Sequence, residues 1–379
     1  MKDINLKKQE MENTVTIDTM NFDSDAIDFM DKEARKNLIF GLFKKQFLHN
    51  KLNVPFYKNL YKDVDPQIIQ TFEDCVSKVP TLNKTDVRNL ASPYDLLDET
   101  TRANLNKIYL YRGTGGTTGE PTSMFYTYND WKAIIGAKTR SLKELKTLNM
   151  PIIAFNGYNQ GHISGPVFDD AIRKLGGISI ARNFGNTDEK AIIQLKRHNC
   201  NLLIAPPVST HKGGSVESLL EADAKLGVNY INGDNIHTVL VSSTNLTKEL
   251  YKELKSLGIK YIYNFYGSTD ALPTAVSCQE DPFSLHILYG HIHLFVVNEK
   301  NQHVDSNEKG IVISGRIASY GNFNNVAVNQ GTQLLNFHVG DEVTFIDEPC
   351  KCGRTTPRIK DIRRVSFVQD KMENGCEQW

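Results

Sequence analysis

Across residues 25–50, DAIDFMDKEARKNLIFGLFKKQFLHN, apolar side chains return at three- and four-residue intervals. Phe29, Leu38, Phe40, Phe43 and Phe47 would share one face, so the spacing predicts a packing helix. The polar residues 1–20 before it predict a disordered tail, and short helices are expected as far as about residue 105. KIYLY then reads as a strand entering YRGTGGTTGEPTSMFY (111–126), and SMFYTY as the strand leaving it. NDW opens a helix to about residue 147, with Asn129 or Asp130 as its cap. From residue 151 the period alternates. PIIAF, GISIA, NLLIA, HTVLVS and KYIYNF are short apolar runs, and the amphipathic stretches PVFDDAIRKLG, EKAIIQLKRH, SVESLLEADAKLG and TKELYKELKSLG separate them. Such alternation predicts a parallel sheet covered by helices. After residue 284 the texture shortens to LHILYGHIHLFVV, GIVISG and LLNFHVGDEVTFI, strands with turns between them. The expected fold class is α/β. A helix-covered, largely parallel sheet with an N-terminal helical region would occupy 21–283, and a small β subdomain with a C-terminal tail 284–379.

Composition narrows the function classes. With 40% hydrophobic residues in 379, the chain can bury a substantial core. Lys+Arg and Asp+Glu are both 44, so the overall balance argues against nucleic acid or an anionic membrane surface as partner. No run approaches the roughly 18 apolar residues of a membrane span, and the N-terminus lacks a signal-peptide pattern, so a cytoplasmic protein is expected. The six cysteines, Cys75, Cys200, Cys278, Cys350, Cys352 and Cys376, are too sparse for a disulfide framework. Metal or thiol chemistry suits them better.

The segment 111–126 holds four glycines and four threonines and is almost free of charge. Glycine lets a backbone approach a ligand closely and threonine adds hydroxyls to exposed amides, a composition suited to polyphosphate. A Walker loop needs lysine after its last glycine, but Glu120 follows Gly119. A dinucleotide turn needs G-x-G-x-x-G opening a helix, but Thr118 stands three places after Gly115 and a strand follows. What remains is a threonine-glycine hairpin able to fold over a triphosphate. In parallel sheets ligands bind at the carboxyl ends of strands, and two such ends are SSTN (242–245) and YGSTDA (266–271).

These segments carry a resemblance. TGGTTGEPT (114–122) resembles the phosphate loop SSGTTGKPT of the adenylate-forming superfamily, in particular its phenylacetate–CoA ligase branch. FYGSTDA resembles that superfamily's YG-x-[ST]-E segment, HVGDEV its TGD segment, and EPCKCGRTTPRI the branch's PCPCGRTHPRI. SSTN stands at the place of the adenine-side loop, and the motifs keep their order over about residues 105–360. The opening helix and the closing DIRRVSFVQDKMENGC resemble the acyl-protein synthetase of bacterial bioluminescence. The superfamily's mobile C-terminal domain is expected to be absent, as in atypical adenylating enzymes of phenazine pathways.

The resemblance implies ATP-dependent adenylation of a carboxylic acid, giving acyl-AMP and pyrophosphate. Thr114, Thr117 and Thr118, with Gly115, Gly116 and Gly119, would hold the outer phosphates, and Ser243, Thr244 and Asn245 would lie on the adenine side. Tyr266 and Gly267 would pack on the base, and Asp341 would accept from the ribose hydroxyls or serve only as a turn residue. Thr269 would touch the α-phosphate, and Asp270, in place of the family's glutamate, would help hold Mg2+. Arg358 or Arg364 would add a positive charge; the two stay undecided. His162 would contact the substrate carboxylate or cap the next helix. Tyr158, Phe168, Ser268 and Ala271 would line an acyl pocket suited to an apolar or aromatic acid. Cys278, His286, Cys350 and Cys352 form a donor set that structural Zn2+ prefers. Cys376 would capture the acyl group itself or be a spectator beside an external acceptor, a reductase, an amine or a protein thiol. A nucleotide-binding protein without catalysis is the reading from another class, and a homodimer is left open.

Overall fold

A computed structural model describes residues 22–113, 122–148, 150–183, 185–208, 214–270, 272–320 and 328–365. In chain order it places α1 (Lys32–Asn53), short helical turns, β1 (Ile108–Gly113), β2 (Ser123–Thr127) and α2 (Tyr128–Ser141). There follow β3 (Ile153–Asn156), α3 (Ser164–Lys174), β4 (Ile178–Ala181), α4 (Asp188–Arg197), β5 (Leu202–Ala205), α5 (Val216–Leu226), β6 (Thr238–Ser242), α6 (Lys248–Ser256) and β7 (Tyr261–Ser268). The last strands are β8 (Leu272–Ser277), β9 (Leu285–Ile287), β10 (Ile292–Val297), β11 (Lys309–Arg316), β12 (Phe337–Ile346) and β13 (Arg358–Arg364). The α/β class expected from the alternation is the one found. The described residues divide into two compact units, one formed by those up to 137 with 268–272 and those from 287 on, the other by those of 138–267 and 273–286.

In the second unit β4, β3, β5, β6 and β7 lie side by side and parallel. All of β5 and β6 is buried, which is why LLIA and TVLVS read as nearly continuous apolar runs rather than alternating ones. Phe155, Leu203, Val239 and Ile262 from the strands meet Leu195, Leu219, Leu250 and Leu254 from α4, α5 and α6 in one core. Each such leucine contributes about 1.5–3 kcal/mol by leaving water. The helices start where their caps dictate. Thr187 accepts from Lys190 N–H, Ser215 forms a capping box with Ser218, and Thr247 accepts from Leu250 N–H. Gly227 ends α5 at φ +63, a left-handed conformation that glycine adopts without strain.

The first unit carries an antiparallel ladder, β10-β11-β12-β13, and the β1–β2 hairpin. Its α1 begins at Asp31, whose carboxylate accepts from Glu33 and Ala34 N–H, and stops before Pro55. Leu38, Ile39, Leu42, Phe43 and Phe47 are its buried stripe. Three expectations change here. The chain turns extended at Met30, so Phe29 sits on a separate turn and is 49% exposed rather than part of the stripe. The helix after the glycine segment is capped two positions before Asn129, the earlier of the two expected caps: Thr127 Oγ1 accepts from Asp130 N–H (3.3 Å) and Asp130 accepts from Thr127 N–H in return (2.9 Å). That helix also ends at Ser141, and a tighter 3-10 turn, Lys143–Leu148, completes the stretch read as one helix.

His293 of β10 is fully buried beside Phe43 (5.1 Å between ring centres), and burial pushes its pKa down to about 3. Folded, it stays neutral; unfolded, it takes a proton below about 6.5. The unfolded chain therefore binds more protons between those values, and stability contributed by this site falls as pH drops from about 6.5 toward 3. Replacing His293 by glutamine should flatten that acid limb of the melting temperature. An unchanged slope between pH 6.5 and 4.5 would assign the limb to other groups.

Candidate active site

In the first unit the segment after β7 buries two expected residues, Thr269 (7% exposed) and Asp270 (2%). The backbone there turns through Leu272 at φ +65, a costly conformation for a leucine. Tyr126 of β2 donates to Thr269 O (2.8 Å), and the buried Arg316 guanidinium lies over the Tyr126 ring, 4.4 Å from its centre. Arg316 itself donates to Thr332 O (3.3 Å) and Phe125 O (3.4 Å), which fixes the plane that holds the tyrosine. The Thr269 carbonyl is thus tied to the strand leaving the glycine segment.

Asp270 meets a residue that sequence reading passed over. Lys84 Nζ stands 3.5 Å from Asp270 Oδ2, while Asp270 Oδ1 is buried without a hydrogen-bond partner among the described residues. Lys84 opens a short helix whose start is set by a capping box: Asn83 Oδ1 accepts from Thr85 and Asp86 N–H, and Asp86 accepts from Asn83 N–H. A buried carboxylate with one oxygen paired and the other unpaired is poised to accept a cation or a donor from a ligand. Its donor chemistry fits Mg2+, a hard ion that takes carboxylate oxygen.

Asp341, 7% exposed, lies on β12 opposite Arg364 of β13, and Arg364 donates to its Oδ1 (3.1 Å). Gly340 makes room for that contact. It sits at φ +89, and a Cβ there would stand 3.3 Å from the Arg364 guanidinium. Arg358 pairs with Ile346 at the other end of the ladder and donates to Glu348 O (3.4 Å), so Arg364 is the arginine beside Asp341.

The root of the hairpin is clamped within the same unit. Asp130 is buried and accepts from Thr127 Oγ1 (2.7 Å), Gln330 N–H (3.0 Å) and Gly331 N–H (2.7 Å) besides its cap bond. Burial raises its pKa and these donors oppose the rise. A Cβ at Gly331 would lie 2.2 Å from Phe125 O, closer than any side chain allows. Thr114, Gly115, Gly116, Thr117, Thr118 and Gly119, like Ala271 and Cys376, lie outside the described residues.

In the second unit Tyr158 and Phe168 come together as expected, stacked at 5.7 Å and 12°. Phe168 meets Phe265 edge-on at 5.6 Å. Tyr158 OH donates to Ser242 O (2.6 Å), and burial pushes this phenol well up, so it stays protonated. His162 Nδ1 accepts from Ser164 N–H (3.2 Å) just before α3, whose N-cap position is Ile163, while its ring faces Tyr158. Ser243 takes φ +80 at the end of β6, and Thr244 donates to Val208 O (3.4 Å). Asn245 is exposed, and Tyr266, Gly267 and Ser268 are half-buried.

Lys138 is the second residue that sequence reading passed over. It is 3% exposed, with its ammonium 3.1 Å from the centre of the Phe265 ring and 4.0 Å from that of Phe168. A signal existed: Lys138 falls four residues after Ile134 and three after Ile135, on the buried side of α2.

The expected thiol and imidazole donors fall two in each unit, a buried Cys278 and His286 in the second and a half-buried Cys350 and Cys352 in the first. In the first unit Ile287 N–H donates to Pro357 O (2.9 Å), just beyond the turn carrying Cys350 and Cys352. Three thiolates and one imidazole are a donor set that suits a tetrahedral Zn2+, whose Zn–S bonds are about 2.3 Å.

No family model matches the sequence. It is 24% identical over 339 residues to a phenylacetate-coenzyme A ligase of Thermus thermophilus, spanning 88% of this chain and 69% of that one. Among solved structures, an open conformation of 2-hydroxyisobutyryl-CoA ligase in complex with 2-HIB-AMP and CoA superposes with a TM-score of 0.78 at 14% identity, over 94% of this chain and 82% of that one. The same ligase in its thioesterification state gives 0.77 at 14% identity, over 95% and 73%. The structural likeness is one of fold. No helix among the described residues is long and apolar enough to cross a membrane.

Proposed function

We propose that this chain, whose fold is that of the adenylate-forming superfamily, is an ATP-dependent acid ligase that joins a small carboxylic acid to AMP. The observation that carries the reading is Asp270, a buried carboxylate with one oxygen unpaired, directly after Thr269 and beside Lys84. In the reaction a carboxylate oxygen of the acid attacks the α-phosphorus, the bond from that phosphorus to the bridging oxygen breaks, and pyrophosphate leaves with the electron pair. Catalysis of this kind is positioning and charge neutralisation. Thr269 would donate to the α-phosphate, Asp270 would hold Mg2+, and Asp341, steadied by Arg364, would accept from the ribose hydroxyls. Mg2+ would supply positive charge against the phosphates. The stacked Tyr158 and Phe168 favour an aromatic or other apolar acid, with the acyl group then handed to an acceptor such as CoA, an amine or a protein thiol. Cys278, His286, Cys350 and Cys352 would hold a structural Zn2+.

A ligand that binds only the folded state raises its melting temperature. ATP and AMP are expected to do so, and the right acid to add a shift only with nucleotide present and to support pyrophosphate exchange. Absence of any nucleotide shift would remove this reading.

A further inference from the structure

We propose that Lys138 determines specificity in the acyl pocket by taking an anionic group carried on the body of the acid, separate from the carboxylate that reacts; this rests on the reading of the chain as an acid ligase. Lys138 is buried to 3% exposure between the faces of Phe265 and Phe168, and among the described residues its amine has no hydrogen-bond or ion-pair acceptor. A lysine is seldom buried so fully without a counter-charge, because desolvation penalises the ammonium. Burial accordingly holds this amine well below the usual lysine range. The two rings offset part of that penalty through their negative faces but carry no net charge. The position of Lys138 in the last turn of α2 favours a basic residue there, yet the helix dipole would act equally on a side chain extended into water.

The surroundings say what the counter-charge is attached to. Tyr158, Phe168 and Phe265 form a continuous aromatic wall, Tyr158 and Phe168 stacked and Phe265 edge-on. The one hydroxyl on that wall is already committed, since Tyr158 OH donates to Ser242 O at 2.6 Å. Lys138 is therefore the group left to meet a polar substituent on a ligand lying against the rings. The fitting ligand is an aromatic carboxylic acid bearing a second anion, such as a ring carboxylate. A bound anion would restore the ammonium and give a paired, desolvated contact, which a site of this kind uses to reject an analogue lacking the group.

The test compares acid-dependent pyrophosphate exchange for phenylacetate and ring-carboxylated phenylacetates, in the wild type and in Lys138→Met. The wild type is expected to prefer one ring-carboxylated acid in kcat/KM by on the order of a hundredfold, mostly through KM. Lys138→Met should collapse that ratio to near one or invert it, and should melt at the same temperature or higher because a desolvated amine has been replaced by an apolar chain of similar length. Lys138→Arg, which keeps the charge, should retain the direction of the preference and serves if the methionine variant does not fold. A wild type that favours unsubstituted phenylacetate, or a ratio that neither variant alters, overturns the role of Lys138 while leaving the ligase reading intact. Exchange with no acid of either kind, although nucleotide binds, overturns both.

Discussion

Asp270→Asn should lower acid-dependent pyrophosphate exchange by on the order of a hundredfold or more while leaving the melting temperature nearly unchanged. The two readouts separate because of how the carboxylate is placed. Its Oδ1 has no partner to lose among the described residues, and Lys84, whose side chain is 24% exposed, can turn its ammonium to water once the charge opposite is gone. The opposite truncation behaves differently. Lys84→Met strands a carboxylate whose side chain is 1% exposed, and removing one member of such a pair costs about 3 kcal/mol. Combining both substitutions should recover most of that loss, since no buried charge is then left uncompensated. Melting curves of the two single variants and the double variant decide the point. If Lys84→Met melts like the wild type, the pair is a screened contact; if Asp270→Asn exchanges pyrophosphate at the normal rate, the carboxylate has no part in the chemistry.

Removal of metal should have the largest effect on stability. Purified protein is expected to contain about one zinc per chain, and a strong chelator should lower the melting temperature by on the order of 10 °C, because a metal held only by the folded chain contributes its binding free energy to folding. AMP binding should persist in the chelated protein below its new melting temperature, since none of the four ligands is among the residues expected to touch nucleotide. The metal should also be lost on acidification, as the proton competes for imidazole and thiolate. Metal-free protein with an unaltered melting temperature would overturn the zinc role of Cys278, His286, Cys350 and Cys352.

What was legible in the sequence followed from periodicity. LLIA and TVLVS announce strands because a parallel sheet core buries every position, and α4, α5 and α6 announce themselves through a threonine or serine cap followed by spaced apolar residues. Short-range geometry was less legible. Phe29 fits the apolar spacing of α1, but the spacing carries no information about the extended residue at Met30 that detaches it. The expected cap at Asn129 or Asp130 missed Thr127 because Asp130 has the capping chemistry but uses it from inside the first turn, the reciprocal half of the box. Lys84 and Lys138 were hidden for a different reason. Each lies on a helix where lysine is ordinary, and its importance comes from groups remote in sequence, Asp270 for one and Phe265 for the other.

The clamp at Asp130 bears on the entropy of ligand capture. Gly113 already pairs with Ser123, and the strand that follows is fastened through Thr127 and Asp130 to the amides of Gln330 and Gly331. Bringing the ends of a chain segment together is the unfavourable part of closing a loop, and here folding does it before any ligand arrives. Binding at that segment therefore does not carry the cost of bringing its ends together. Because Phe125 O occupies the space where any side chain at 331 would begin, the close approach that fastens the hairpin depends on one glycine more than two hundred positions along the chain from the segment it serves.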